Sequence, residues 1–109
     1  MIFNKIELLE KVGGLNELLK EMVSIYLIDA DQSYRDVKAA LQEKNYAKLS
    51  ETSHAVKGAA LSICAEDYGN IAARLENAGP ENAEDLDDLE HRFDQEYTKL
   101  NKILREILE

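Results

Sequence analysis

Apolar residues recur every three or four positions almost from end to end of this chain, and few breaks interrupt them. The first break is Gly13-Gly14. Before it lies a short helix opened by Asn4, whose side chain can cap, with Glu7 at the capping-box position. From Leu15 an apolar stripe of Leu15, Leu18, Leu19, Met22, Tyr26, Ala30, Tyr34, Val37 and Leu41 keeps helical period. It predicts one long helix to about Lys44, with Asp29 to Asp31 as the place for a bend. Asn45 then caps a helix from Tyr46 to Ile63, whose inner stripe is set by Val56, Ala60 and Ile63.

Cys64 to Glu66 predicts a tight turn. The next helix starts near Asp67 and buries Tyr68, Ile71, Ala72, Leu75 and Ala78, until Gly79 and then Pro80 stop it. Asn82 caps a last helix, with Asp85 three residues on, burying Leu86, Leu89, Phe93, Tyr97, Leu100, Leu104 and Ile107. Its acidic first turns, and Lys99, Lys102 and Arg105 near its end, both suit the helix dipole. There is no strand pattern, internal repeat or low-complexity tract. Four substantial helices on short connections imply antiparallel neighbours. The expectation is an all-α fold: an up-down-up-down antiparallel four-helix bundle with a short additional N-terminal helix.

Composition narrows the function classes. A length of 109 residues suits a single domain over 1–109 with one core, and 45% apolar content lifts it above the disordered class. No apolar run approaches the roughly 20 residues that span a bilayer. The opening MIFNKIELLEKVGG lacks the pattern of a signal peptide. The lone Cys64 cannot form an internal disulfide, which fits a reducing compartment, so the cytoplasm is the expected location. The initiating Met and compact length favour a free-standing protein. A net charge of −9 argues against nucleic acid as partner. The acid is concentrated between Glu81 and Glu96, and the segment around Lys48, His54 and Lys57 is not acidic.

The stretch SHAVKGAALSI, Ser53 to Ile63, holds one of only 2 histidines. At about 100° per residue, Val56 and Ile63 lie nearly opposite His54, so the imidazole points outward. Lys57 is about 60° to one side of it, Gly58 about 40° to the other, and Leu61 about 20° off its line two turns on. An interior helical glycine costs roughly 1 kcal/mol relative to alanine, so Gly58 needs a reason. It clears the ground beside the ring for a partner or a tetrahedral group. An exposed neutral imidazole is a competent nucleophile, and the Lys57 cation suits an arriving phosphoryl group. The chain has no glycine-rich phosphate loop and no Asp-rich Mg²⁺ loop, so that phosphate would arrive on another protein. Ala55 and Leu61 are the candidate partner contacts.

These residues resemble the histidine-containing phosphotransfer (HPt) domain of bacterial multistep two-component phosphorelays. His54-Ala-Val-Lys57-Gly58 matches that family's H-x-x-K-G core, followed by the small pair Ala59-Ala60. Ala73-Arg-Leu75-Glu76-Asn-Ala-Gly79 resembles the L-E element of its next helix, and the Gly13-Gly14 break and the ALQEKNYAKL lead-in also fit. The resemblance covers nearly the whole chain. It implies that His54 takes a phosphoryl group from the aspartate of one response-regulator receiver domain, or of a hybrid sensor histidine kinase, and passes it to another. Lys57 would steady the phosphohistidine and Gly58 would admit the receiver. The receiver would supply Mg²⁺ and the acidic pocket, so no cofactor is expected on this chain. A monomeric phosphoryl carrier without kinase activity follows. Where the family usually has a glycine ahead of an alanine, Cys64-Ala65 stands here, which implies altered geometry at the helix end.

If the histidine helix and the next form a hairpin turning near Ala65, His54 faces Glu76. That carboxylate could pair with Lys57 or hydrogen-bond the imidazole and fix its tautomer; the alternative is a solvated side chain. His91 also faces outward, without a lysine or glycine neighbour, and reads as a surface residue. Cys64 with either histidine lacks paired metal-ligand spacing. Gly69 reads as a close-packing position. The alternative function is a helical module that docks a receiver or another signalling protein without taking phosphate.

Overall fold

The computed structural model describes residues 1–109. The chain folds into five α-helices and one 3₁₀ turn, with no strand. The helices are α1 (Lys5–Lys11), α2 (Asn16–Glu43), α3 (Tyr46–Ser62), α4 (Glu66–Glu76) and α5 (Ala83–Leu108), with the turn at Pro80–Asn82. Local chemistry sets most boundaries. Asn4 accepts the Glu7 N–H at 3.0 Å and Asn45 accepts the Lys48 N–H at 3.1 Å, each closing a first helical turn. Gly13 and Gly14 end α1 with φ of +69° and +77°, a region open to glycine at little cost.

Two caps differ from the sequence expectation. Glu7 does not complete a capping box, because the Asn4 backbone N–H donates to the Cys64 carbonyl at 2.9 Å. The Glu7 carboxylate accepts the Asn4 side-chain amide at 3.2 Å instead. Asn82 stands at the head of α5 without capping it; its side chain turns back and accepts the Gly79 N–H at 3.0 Å, closing the 3₁₀ turn.

The core runs through all five helices, from Leu8 of α1 to Leu104 of α5. At its centre the fully buried Phe93 ring stacks on Tyr68 of α4 at 5.0 Å and on Tyr34 of α2 at 5.4 Å. Polar pairs flank it. Lys38 of α2 meets Asp94 at 2.9 Å and also Glu90, and Tyr97 donates to Asp31 at 3.2 Å. In α5, Leu89, Phe93, Leu100 and Leu104 are buried, while Leu86, Tyr97 and Ile107 are half-buried against them. Ala78 is half-buried beyond the end of α4.

The expected stripe on α2 holds only in part. Leu19, Val23, Ala30, Val37 and Ala40 are buried, but Leu15, Leu18 and Met22 are exposed, as are Ile25 and Ile28. Ser33 and Asp36 of α2 share a groove with Glu51, Thr52 and Ala55, while Asp29, Ala30 and Ser33 line a small cavity with Val56 and Ala59. At 28 residues α2 is longer than α3 with its 17, and Leu18, Met22 and Ile25 in its first half line an open groove beside Val12. The helix itself runs unbroken through Asp29 to Asp31.

The turn after α3 contains a left-handed residue that the sequence did not mark. Cys64 takes φ +62°, Ala65 N–H reaches the Ala60 carbonyl at 2.9 Å and Cys64 N–H reaches Leu61 at 3.1 Å. This is a Schellman closure, whose left-handed position usually goes to glycine. The cysteine takes that conformation at about 1 kcal/mol of backbone strain, and the closure has both hydrogen bonds of the motif.

Phe93→Ala is expected to lower unfolding free energy by about 3–5 kcal/mol, read as a lower urea midpoint. Ser53 is also fully buried, and its hydroxyl has no hydrogen-bond partner. Ser53→Ala should therefore leave the midpoint unchanged or raise it, because an unsatisfied hydroxyl is removed from a helix interior.

Candidate functional site

His54 lies midway along α3, with the fully buried Ser53 before it and the buried Val56 and Ala60 behind. Its own side chain keeps 68% of its exposure. The inner face of α3 is pressed between α2 and α4, so the outer face is held at a fixed rotation. On that face, Ala55, Gly58, Ala59 and Leu61 are all exposed. A Cβ built on Gly58 would meet nothing within 4 Å, so the surface beside the imidazole is open.

Glu76, the last residue of α4, closes the site from the neighbouring helix. One carboxylate serves two partners. Lys57 Nζ stands 2.8 Å from Oε1, and His54 Nδ1 is 3.2 Å from each carboxylate oxygen. The Glu76 side chain retains 20% exposure and Lys57 29%, so this pair is partly shielded while the histidine is not. The Lys57 ammonium first, and the His54 ring after it, hold the Glu76 carboxyl below its ordinary value of 4.5, against the opposing effect of desolvation. An ionised carboxylate only accepts hydrogen bonds, so Nδ1 must carry the ring proton. In the neutral imidazole, Nε2 is then the atom with the free lone pair.

Leu61 is held from α4 as well. A Cβ on Gly69 would come within 2.8 Å of Leu61 Cδ2, so Leu61 lies across the gap that this glycine leaves. The close-packing expectation for Gly69 therefore has a specific partner. It was accessible from the sequence, since Leu61 and Gly69 flank Ala65 at equal distance, as His54 and Glu76 do. What the pattern missed is the complete burial of Ser53 beside an exposed histidine. His91 is exposed on α5, in none of these contacts. Cys64 is buried, and no group of three or more His, Cys, Asp or Glu side chains is placed to hold a metal ion.

Residues 21–107 match the Hpt domain family along their length. The chain belongs to that family. The match takes in α3, α4 and the whole His54–Lys57–Glu76 cluster, and leaves α1, the Gly13-Gly14 break and the start of α2 outside. The Hpt domain is also similar to the phosphorelay intermediate protein YPD1 of Candida albicans, at 28% identity over 60 residues. That similarity covers 55% of this chain and 33% of YPD1, so the stretch matched is about a third of the relative's length. No solved structure matches the chain. No helix is long and apolar enough to cross a membrane.

The shared carboxylate has a pH signature. A depressed carboxyl keeps its contacts above its own titration and loses them as pH falls through it, so the Lys57–Glu76–His54 contacts should dissolve only below pH 4.5. Carboxyl ¹³C NMR of Glu76 should titrate below the ordinary range. Lys57→Met should raise that midpoint more than His54→Gln, since the lysine contributes more.

Proposed function

We propose that this Hpt domain is a phosphoryl carrier of a phosphorelay, accepting the group on His54 Nε2 from a receiver aspartate and passing it to another. The observation that carries the reading is the joint placement of an exposed imidazole, its Nδ1 hydrogen-bonded to Glu76, an ammonium one turn away and an open glycine surface. Family membership and the similarity to a phosphorelay intermediate support it. The chemistry needs no proton transfer from this chain. Nε2 attacks with its lone pair, Lys57 offers charge to the phosphoryl oxygens, and the Nδ1 proton stays where it is. Such a protein is not an enzyme, because each transfer consumes its own phosphorylated state.

Receiver domains, free or within a hybrid sensor kinase, are the proposed partners, and they would bring the Mg²⁺. Exposed apolar residues support a protein partner: Leu61 is exposed on the histidine face, and Ile25 and Ile28 are exposed on α2. The scaffold is read as one domain over 1–109, an up-down-up-down antiparallel bundle. That reading is supported by the pairs His54–Glu76 between α3 and α4, Lys38–Glu90 and Asp31–Tyr97 between α2 and α5, and Glu43–Lys48 between α2 and α3. The cytoplasm and a monomeric state complete the proposal.

The deciding experiment is transfer from a phosphorylated receiver to the native protein and to His54→Gln. An acid-labile label on the native chain, absent from the variant, is the expected result. Gly58→Leu should keep the helical circular dichroism and lose at least tenfold in transfer rate, as a bulky side chain fills the approach. Receiver binding that survives in His54→Gln, with no label on the native chain, would replace the carrier by a docking module.

A further inference from the structure

Resting on the carrier reading, one feature of the cluster points further: Glu76 Oε1 lies within reach of both Lys57 and His54, on unequal terms. The ammonium sits at 2.8 Å, a full charge-assisted distance, whereas Nδ1 is 3.2 Å from both oxygens and aimed between them. At rest the lysine holds the closer claim.

We propose that Glu76 is a positioning residue that changes partner during transfer. It gives up Lys57 to the incoming phosphoryl group and then holds the Nδ1 proton on the phosphorylated ring, which keeps the N–P bond ready to break. The balance is simple. The Nε2 lone pair forms the N–P bond, the P–O bond of the aspartyl phosphate breaks, and its electron pair leaves on the donor carboxylate. The ring keeps its Nδ1 proton and becomes cationic. Two new charges appear together, a phosphoryl dianion on one side of the ring and an imidazolium on the other. Lys57 and Glu76 are already the matching countercharges, so exchanging partners needs side-chain motion alone.

The value of the retained proton lies in the next step. A ring protonated at Nδ1 departs as neutral imidazole when the next aspartate attacks phosphorus. A ring that has lost the proton must depart as imidazolate, a far poorer leaving group. Glu76 thus sets how long the carrier holds its load and how readily it delivers. The other charged groups facing this part of α3 are Glu51, one turn earlier, and Asp36 of α2, which shares a groove with Glu51, Thr52 and Ala55. Neither makes a contact with His54, so the proton is assigned to Glu76.

The test uses the full chain carrying His91→Gln, leaving one imidazole, labelled chemically with phosphoramidate so that no partner is required. Ring ¹⁵N NMR then follows the pH at which phosphorylated His54 loses its Nδ1 proton. Glu76→Gln should move that midpoint about one pH unit lower, with Glu76→Asp between. Onward transfer to an unphosphorylated receiver with Mg²⁺ should slow several-fold near neutral pH in Glu76→Gln. Coincident midpoints in folded proteins, or an Nε2 that phosphoramidate does not label, would overturn the role of Glu76. A shifted midpoint with no transfer to receivers from the native chain would overturn the carrier reading and leave the proton assignment standing.

Discussion

Everything at the site depends on how α3 is held. Its inner residues Leu49, Ser53, Val56 and Ala60 are buried between α2 and α4, and a helix so clamped cannot roll. Rotation by a single residue would swing the imidazole through about 100°. The core therefore does more than stabilise the chain: it aims His54. The Phe93 stack serves the same end from a distance, because Tyr68, the ring of α4 in that stack, fixes the helix that carries Glu76. Stability and the geometry of the site share these residues, and the exposed imidazole itself contributes almost nothing to packing.

The second constraint is that helices of unequal length cannot cover one another. α2 has 28 residues and α3 has 17, so part of the longer helix lacks its neighbour. Leu18, Met22 and Ile25 are exposed in the first half of the longer helix. In a protein meant to stay alone such a flank would be a liability. Here it leaves apolar area that the fold itself does not use.

The sequence made the helices, their order and the outward direction of His54 legible, because period and capping residues report local geometry directly. The meeting of His54 and Glu76 was legible too, from equal distances about Ala65. Three features were hidden for different reasons. Periodicity gives the direction in which Leu15, Leu18 and Met22 point, but not whether a helix is present there to meet them. Asn82 is a good capping residue with two helical starts within reach, and it served the earlier one. Cys64 carries no mark of a left-handed backbone; only the hydrogen bonds of Ala65 and Cys64 to α3 reveal that the turn demanded it.

That turn has one more consequence. Between Ser62 and Glu66 the chain has just three residues, and α1 is tied to them through the Asn4 amide and the Cys64 carbonyl. So short a connection has no slack to absorb a change of length, and one residue more or fewer would shift α4 against α3 and carry the carboxylate of Glu76 off the ring. The number of residues in this connection is therefore part of the geometry of the site.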